Sequence, residues 1–535
     1  MKPSMTGRRL RLIAAVAVTG AVFGVTAGGA QAAYNPNDPA QKAEHDDAMA
    51  IGVQAYKYGL PLLDMNRIFS TYTSVNVCNQ ELGYGPVNQL CSVAQLADPT
   101  DRQIVAPNHD TLYTAGWLDL SGRTKYVVRV PSSDRFHVFE LLDAYTNNFA
   151  NIGTPISSLY PDLTARPFAS PDGDYIVLGP GQRLDSSENP YKLPVINAPT
   201  SRVWIIGRTE VLSPADVSHV NAIQATYAIA TLDEFVPGQP IEAQRAPKNR
   251  VTTPTIARIP GTGAGEDPIA FFDALGEQLA QLPPPSADAP TLNQFATVGI
   301  GPGLHPSTTQ DGATLAGLRD AVTTGGPAAV NSDLRNALIA SFGPHNGWLV
   351  GETGSYGTDY ATRAWVDKIG SGGALDSRAA AYQLAQTDRL GHLLAGTVRY
   401  VAHFAPGTAP PPVQGFWSMT LYDRNQFLVP NVANRYLVND RSNLHYNADG
   451  SLDVYIQAGA PTSASQDDNW LPSPPTGNPT NPSQGFNLVM RLYAITPSAF
   501  ASVIAGGPGN WVPPAILPCN NTTNTTVPGG IACAS

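Results

Sequence analysis

The chain has 535 residues, with 32 Lys and Arg against 42 Asp and Glu for a formal net charge of −10. Only 14% of residues are charged, too few and of the wrong balance for the phosphate-neutralising surface that a nucleic-acid partner requires. Gly (49) and Pro (48) are plentiful and scattered, which favours many turns between short strands and hence a β-rich protein.

Residues 1–32 read as an export signal. Arg8, Arg9 and Arg11 give a positive start, residues 12–27 are almost wholly apolar, and Ala30-Gln31-Ala32 offers small residues around a cleavage point. The apolar run contains Gly20 and Gly24 and is short for a bilayer span of ~20 residues. No later run is long and apolar enough to span, so a secreted product with no integral membrane segment is expected. Roughly 500 residues then remain for two or three domains of ~150 residues each. Cys78 and Cys91 flank a polar loop, and Cys519 and Cys533 bracket the Asn/Thr-rich tail. In an oxidising compartment this spacing predicts two local disulfides, each worth roughly 3 kcal/mol. A metal reading lacks both a Cys-x-x-Cys pair and neighbouring His.

Residues 33–97 form an N-terminal helical segment and the first disulfide loop. Met49, Val53, Tyr56 and Leu60 recur at helical spacing over 39–72, with a break expected near Pro61. Residues 98–212 carry strands at 126–130, 137–142, 175–178 and 203–206, rich in β-branched and apolar side chains. Residues 213–398 change period: helices are expected over 214–229, 270–282 and 331–342, the last capped by Asn331 or Ser332. Residues 399–535 return to strands at 399–404, 416–422, 452–457 and 488–493, with Asp449-Gly450 as a hairpin turn. The Pro/Ser/Asn-rich stretch 462–483 reads as an exposed excursion. Two β-sandwiches around a helical middle region is the architecture this supports.

Several words resemble a known pair of families. Ala106-Pro107-Asn108-His109-Asp110-Thr111-Leu112-Tyr113, Trp117-Leu118-Asp119-Leu120, and the run from Leu141 through Asn147-Asn148-Phe149 to Ile152-Gly153-Thr154 resemble the core of domain-of-unknown-function family 1254. Gly415 to Asp423, Asn434-Arg435-Tyr436, Asp449-Gly450-Ser451, Asn469-Trp470-Leu471-Pro472 and Arg491-Leu492-Tyr493 resemble its companion, family 1214. The resemblance implies two jelly-roll-like antiparallel β-sandwiches joined by helices, and it implies no activity. His109 departs from it, since relatives more often carry Asn or Arg there.

Three groups are candidates for chemistry. Asn108, Asp110 and Tyr113 can present an amide, a carboxylate and a ring from a loop, or form an Asx-turn. Asp143, Tyr145, Asn147 and Asn148 suit a hydroxyl-rich ligand, or a turn at a sheet corner. Trp417, Tyr422, Arg435 and Tyr436 form the third, with Arg435 able to clamp a carboxylate or phosphate, or to pair with Asp423 or Asp440. Asp110 and Asp143 are the expected acid and base, with Glu140 and Asp388 as further carboxylates. A glycosidase needs two such groups ~5–9.5 Å apart. No Gly-x-Ser-x-Gly, His-Glu-x-x-His or Gly-x-x-x-x-Gly-Lys occurs, so no cofactor and no metal are expected, and residues 299–303 read as a turn. The sequence thus favours an exported glycoside-type hydrolase acting on a glycan or other polyhydroxyl compound. The alternative is a non-catalytic extracellular protein binding a small-molecule or glycan ligand or serving in assembly. Homo-oligomerisation stays open.

Overall fold

The computed structural model describes residues 33–102, 105–154, 171–241, 250–342, 344–370, 372–478, 481, 484–505, 511–520 and 531–532. The expected export signal and Cys533 lie outside them. The chain folds as two β regions around a helical middle.

The first region pairs two sheets. One orders Leu90–Ser92 (β1), Thr111–Asp119 (β2), Arg202–Glu210 (β8), His137–Leu142 (β4) and Asn148–Gly153 (β5), all antiparallel. The other orders Val195–Asn197 (β7), Gly173–Leu178 (β6), Tyr126–Val130 (β3) and Ala228–Thr231 (β9), with β6 and β7 parallel. Leu118, Phe139, Ile152 and Val203 from one sheet meet Val128 and Val177 from the other in a shared core. The second region repeats the plan. Trp348–Leu349 (β10), Ala380–Ala385 (β11), Phe486–Tyr493 (β17), Trp417–Asp423 (β13) and Leu437–Asn439 (β14) form one sheet. Trp470–Pro472 (β16), Leu452–Gln457 (β15), Tyr400–Phe404 (β12), Ala515–Asn520 (β18) and Ile531–Ala532 (β19) form the other, with parallel pairs at its two edges.

The predicted strands all form, and β1 and β9 extend the first sheets beyond 98–212 while β10 and β11 precede residue 399. Other expectations need correction. The N-terminal helix runs unbroken through Pro61 from Pro39 to Tyr72, started by Asp38, whose carboxylate accepts from the Ala40 and Gln41 amides. Packing pins the turn around Pro61, a buried residue, because neighbours approach this helix closely. A Cβ on Gly317 would lie 2.2 Å from the His45 carbonyl, and one on Gly59 would lie 2.6 Å from Leu275. The helix expected over 214–229 stops at Gln224, and its C-terminal residues become β9, paired to β3. The helix expected from 331 begins at Gly326 and continues a π-turn over Ala321–Gly325, so Asn331 and Ser332 are interior and cap nothing. Helix Tyr360–Gly370 was not foreseen. The 462–483 excursion is partly internal, since Trp470, Leu471 and Pro472 are a buried edge strand.

Cys78 and Cys91 form the predicted disulfide, and Cys519 is disulfide-bonded, its expected partner being Cys533. The two β regions are stapled by Arg441. Its guanidinium donates to Asp110 at 2.7 Å and Glu210 at 2.9 Å across the junction, and lies over the Phe416 ring. The Asp110 side chain is 0% exposed. Arg441→Met should therefore strand a buried carboxylate and cost about 3 kcal/mol. Urea denaturation will show this as a lowered midpoint, and an unchanged midpoint would refute the staple.

Candidate functional site

A cavity of about 610 Å³ lies where the outer face of β2 and β8 confronts the outer face of β11 and β17, and it opens to the surface beside the exposed residues Glu81, Gln95 and Asp98. Alternation along the strands decides what reaches it. In β17, Leu488, Met490 and Leu492 fill the second core, while Val489, Arg491 and Tyr493 turn to the cavity. Antiparallel register then sets Tyr382 directly opposite Arg491, and on the other wall Tyr113 directly opposite Arg208. Each wall thus contributes one arginine and its cross-strand tyrosine. Leu384, Val489, Ile206, Trp204 and, from helix Tyr360–Gly370, Trp365 and Ile369 make much of the remaining lining apolar, while Glu81, Asp98 and Asp101 also line it.

The two arginines differ in their partners. Arg208 donates to Glu140 at 2.6 Å and to the Gly373 carbonyl at 2.8 Å. Arg491, only 3% exposed, donates to the Thr420 hydroxyl at 3.3 Å and the Ala106 carbonyl at 2.8 Å, and its guanidinium faces the Tyr422 ring. Among the described residues no carboxylate pairs with Arg491. Nor can a phenolate: burial pushes Tyr382 up to about 12 and raises Tyr422 and Tyr493 as well. The Tyr382 hydroxyl is buried without a hydrogen-bond partner among the described residues. Tyr493 accepts from the Asn108 amide at 2.7 Å, leaving its own proton free to donate. Glu140 is fully buried, which raises its pKa to about 7 against the pull of Arg208. The cluster therefore carries excess positive charge.

Asn108 and Tyr113 line this cavity. Asp110 does not: it is engaged by Arg441 and by the Asn439 amide at 3.1 Å. Asp143 does not either. It accepts from the Tyr145 and Asn147 amides at 2.8 and 2.9 Å, an Asx-turn closed by the Asn147 side chain at 3.0 Å. The two aspartates share no partner. Tyr145 donates to the Leu282 carbonyl, and Asn148 bridges Leu141, Ala150 and the Asp376 amide. Trp417 is core, against Phe404. Arg435 pairs with neither Asp423 nor Asp440: it donates to the carbonyls of Asp467 and Trp470 and holds the 462–483 excursion down. Tyr422 donates to the Pro107 carbonyl, and Tyr436 to Asn434. Asp388 accepts from the Leu390 and His392 amides. Sequence reasoning gave no role to Arg208, Arg491, Tyr382 or Tyr493. The available signal was a lone arginine inside an otherwise uncharged strand, Phe486–Tyr493, buried along its whole length.

Fold and site together define a double β-sandwich protein with a ligand-sized cavity between its halves. Family models match DUF1254, a protein of unknown function, over residues 87–231 and DUF1214, likewise of unknown function, over 379–497. The chain is a DUF1254/DUF1214 domain-containing protein. The VPA0106 protein from Vibrio parahaemolyticus is similar in structure, with a TM-score of 0.55 at 19% identity, over 88% of this chain and 99% of that one. It shares the fold. An uncharacterized protein from Burkholderia cenocepacia matches at a TM-score of 0.36 and 15% identity, over 90% of each chain. No curated protein matches.

Asp143→Ala leaves the buried Tyr145 amide and the half-buried Asn147 amide without their acceptor and should cost about 2 kcal/mol, read by thermal or urea denaturation. A variant of unchanged stability but weakened ligand binding would instead give Asp143 the ligand role expected from the sequence.

Proposed function

We propose that the protein binds a small organic anion with an apolar body in the cavity between its sandwiches. The observation that carries this is Arg491, a buried guanidinium that faces the cavity with no carboxylate partner among the described residues. An arginine stays charged at any physiological pH, and an uncompensated buried charge costs several kcal/mol. An anionic headgroup beside Arg491 would supply the missing charge and accept from the unpartnered Tyr382 hydroxyl. The apolar walls suit a hydrocarbon or aromatic body, and the volume falls within the ~300–1,000 Å³ of ordinary ligand sites. Export is part of the reading, supported by the signal-like start and by the Cys78–Cys91 disulfide. The glycoside hydrolase expected from the sequence draws less support, because neither Asp110 nor Asp143 lines the cavity. The non-catalytic binding alternative is the one the geometry favours.

Titration calorimetry with decanoate and decanol tests it. One decanoate per chain should bind at least ~10-fold tighter than decanol, the difference that one charge-assisted contact of ~1.5–3 kcal/mol provides. Arg491→Met should erase that difference while keeping or raising the melting temperature, since it removes an unpaired charge. Equal affinity for both probes, or no binding of either, would overturn the reading.

A further inference from the structure

Arg208 serves two neighbours at once. One side of its guanidinium lines the cavity, and the other donates to Glu140, which is 0% exposed and sits behind it. Glu140 Oε1 takes that bond, while Oε2 is buried with no partner among the described residues. The groups that face Glu140 are few. Arg208 comes from β8, Tyr382 from β11, and Tyr356 from the segment before helix Tyr360–Gly370. Burial raises both tyrosines, so neither ionises near neutral pH. Among the described residues Arg208 is thus the positive charge that favours the ionised form of Glu140.

Arg208 and Arg491 line the same cavity, the one that holds the headgroup position proposed above. Tyr113, Tyr382 and Tyr493 line it with them, Tyr113 directly cross-strand to Arg208 and Tyr382 directly cross-strand to Arg491. An anion docked there competes with Glu140 for Arg208 and adds a negative charge nearby. Both effects favour the neutral carboxyl.

We propose that the cavity takes up its anion together with a proton, which is received by Glu140. This rests on the cavity being an anion site, and it names a regulation of that site: affinity is coupled to pH through a residue the ligand never touches. Arg208 passes from its bond with the Glu140 carboxylate to the ligand headgroup, and Glu140 becomes a neutral acid. No bond other than O–H is made.

The sign follows from linkage. The bound state holds more protons than the free state, so affinity falls as pH rises. Glu140 in the free protein is raised to about 7 by burial, which Arg208 only partly offsets. Below about pH 6 it already carries its proton and the coupling vanishes. Above that the dissociation constant should climb by up to ~tenfold per pH unit.

The test is decanoate calorimetry at about pH 7.5 in PIPES and in Tris, buffers of low and high ionisation enthalpy. Linkage predicts that the apparent binding enthalpies differ by an amount corresponding to uptake of up to about one proton per decanoate. Glu140→Gln should bind decanoate with no buffer dependence and with a dissociation constant flat from pH 6 to 8, an expected range of about two units. Identical enthalpies in the two buffers for the wild-type chain would overturn the proposal. So would proton uptake that persists in Glu140→Gln, which would put the proton on the ligand. If decanoate fails to bind at all, the anion site itself falls, an outcome distinct from binding without a proton.

Discussion

The structure turns on a buried positive charge that no described carboxylate neutralises. Arg491 stands in the middle of a strand whose eight residues are all buried, between an apolar core on one side and a mostly apolar cavity on the other. Two hydrogen-bond acceptors and a tyrosine ring lower the penalty without removing it. A chain stable by ~5–15 kcal/mol carries such a group only at a cost to its folded state. An incoming anion would remove that cost, so part of the binding energy is already stored in the free protein.

Everything around Arg491 serves to hold it there. The antiparallel register of β11 and β17 fixes Tyr382 against it, and the register of β2 and β8 fixes Tyr113 against Arg208. Neither pair would share a cavity unless the two β regions were held face to face. The Arg441 link to Asp110 and Glu210, the Asn108–Tyr493 bond and the edge-on packing of Phe136 against Phe416 at 5.5 Å and Tyr493 at 5.7 Å do that. Asp110 and Asn108, which look on paper like members of one ligand-binding loop, therefore divide their work. The first closes the junction, and the second orients a cavity tyrosine.

The legible parts of the sequence were those with one wet face. Leu452–Gln457 alternates buried and half-buried residues, and its strand and preceding hairpin turn could be read directly. The helix Ala270–Gln281 shows Phe271, Leu275 and Leu279 on one side and was equally plain. Illegibility came where polar groups are buried. Helix Tyr360–Gly370 hides Arg363 and Asp367 among Ala364, Trp365 and Val366, so its buried face does not look apolar. Arg491 and Arg208 lie in strands covered on both sides, where alternation carries no information about which face meets a ligand. Asp110 and Asp143 attracted attention as carboxylates near strand ends, but a carboxylate that satisfies a turn has the same sequence as one that meets a substrate. The cavity is lined from several parts of the chain, and only the assembled sheets bring Arg208 and Arg491, more than 250 residues apart, to one cavity.

A crystal structure of the full chain with 10-bromodecanoate would test the central claim most directly, because the bromine's anomalous signal marks the far end of the ligand independently of the carboxylate. The carboxylate should lie within about 3 Å of the Arg491 guanidinium and the Tyr382 hydroxyl, the range of a charge-assisted hydrogen bond. The bromine should lie inside the same cavity, among its apolar walls. A carboxylate bound anywhere else, with the space beside Arg491 left to solvent, would contradict it.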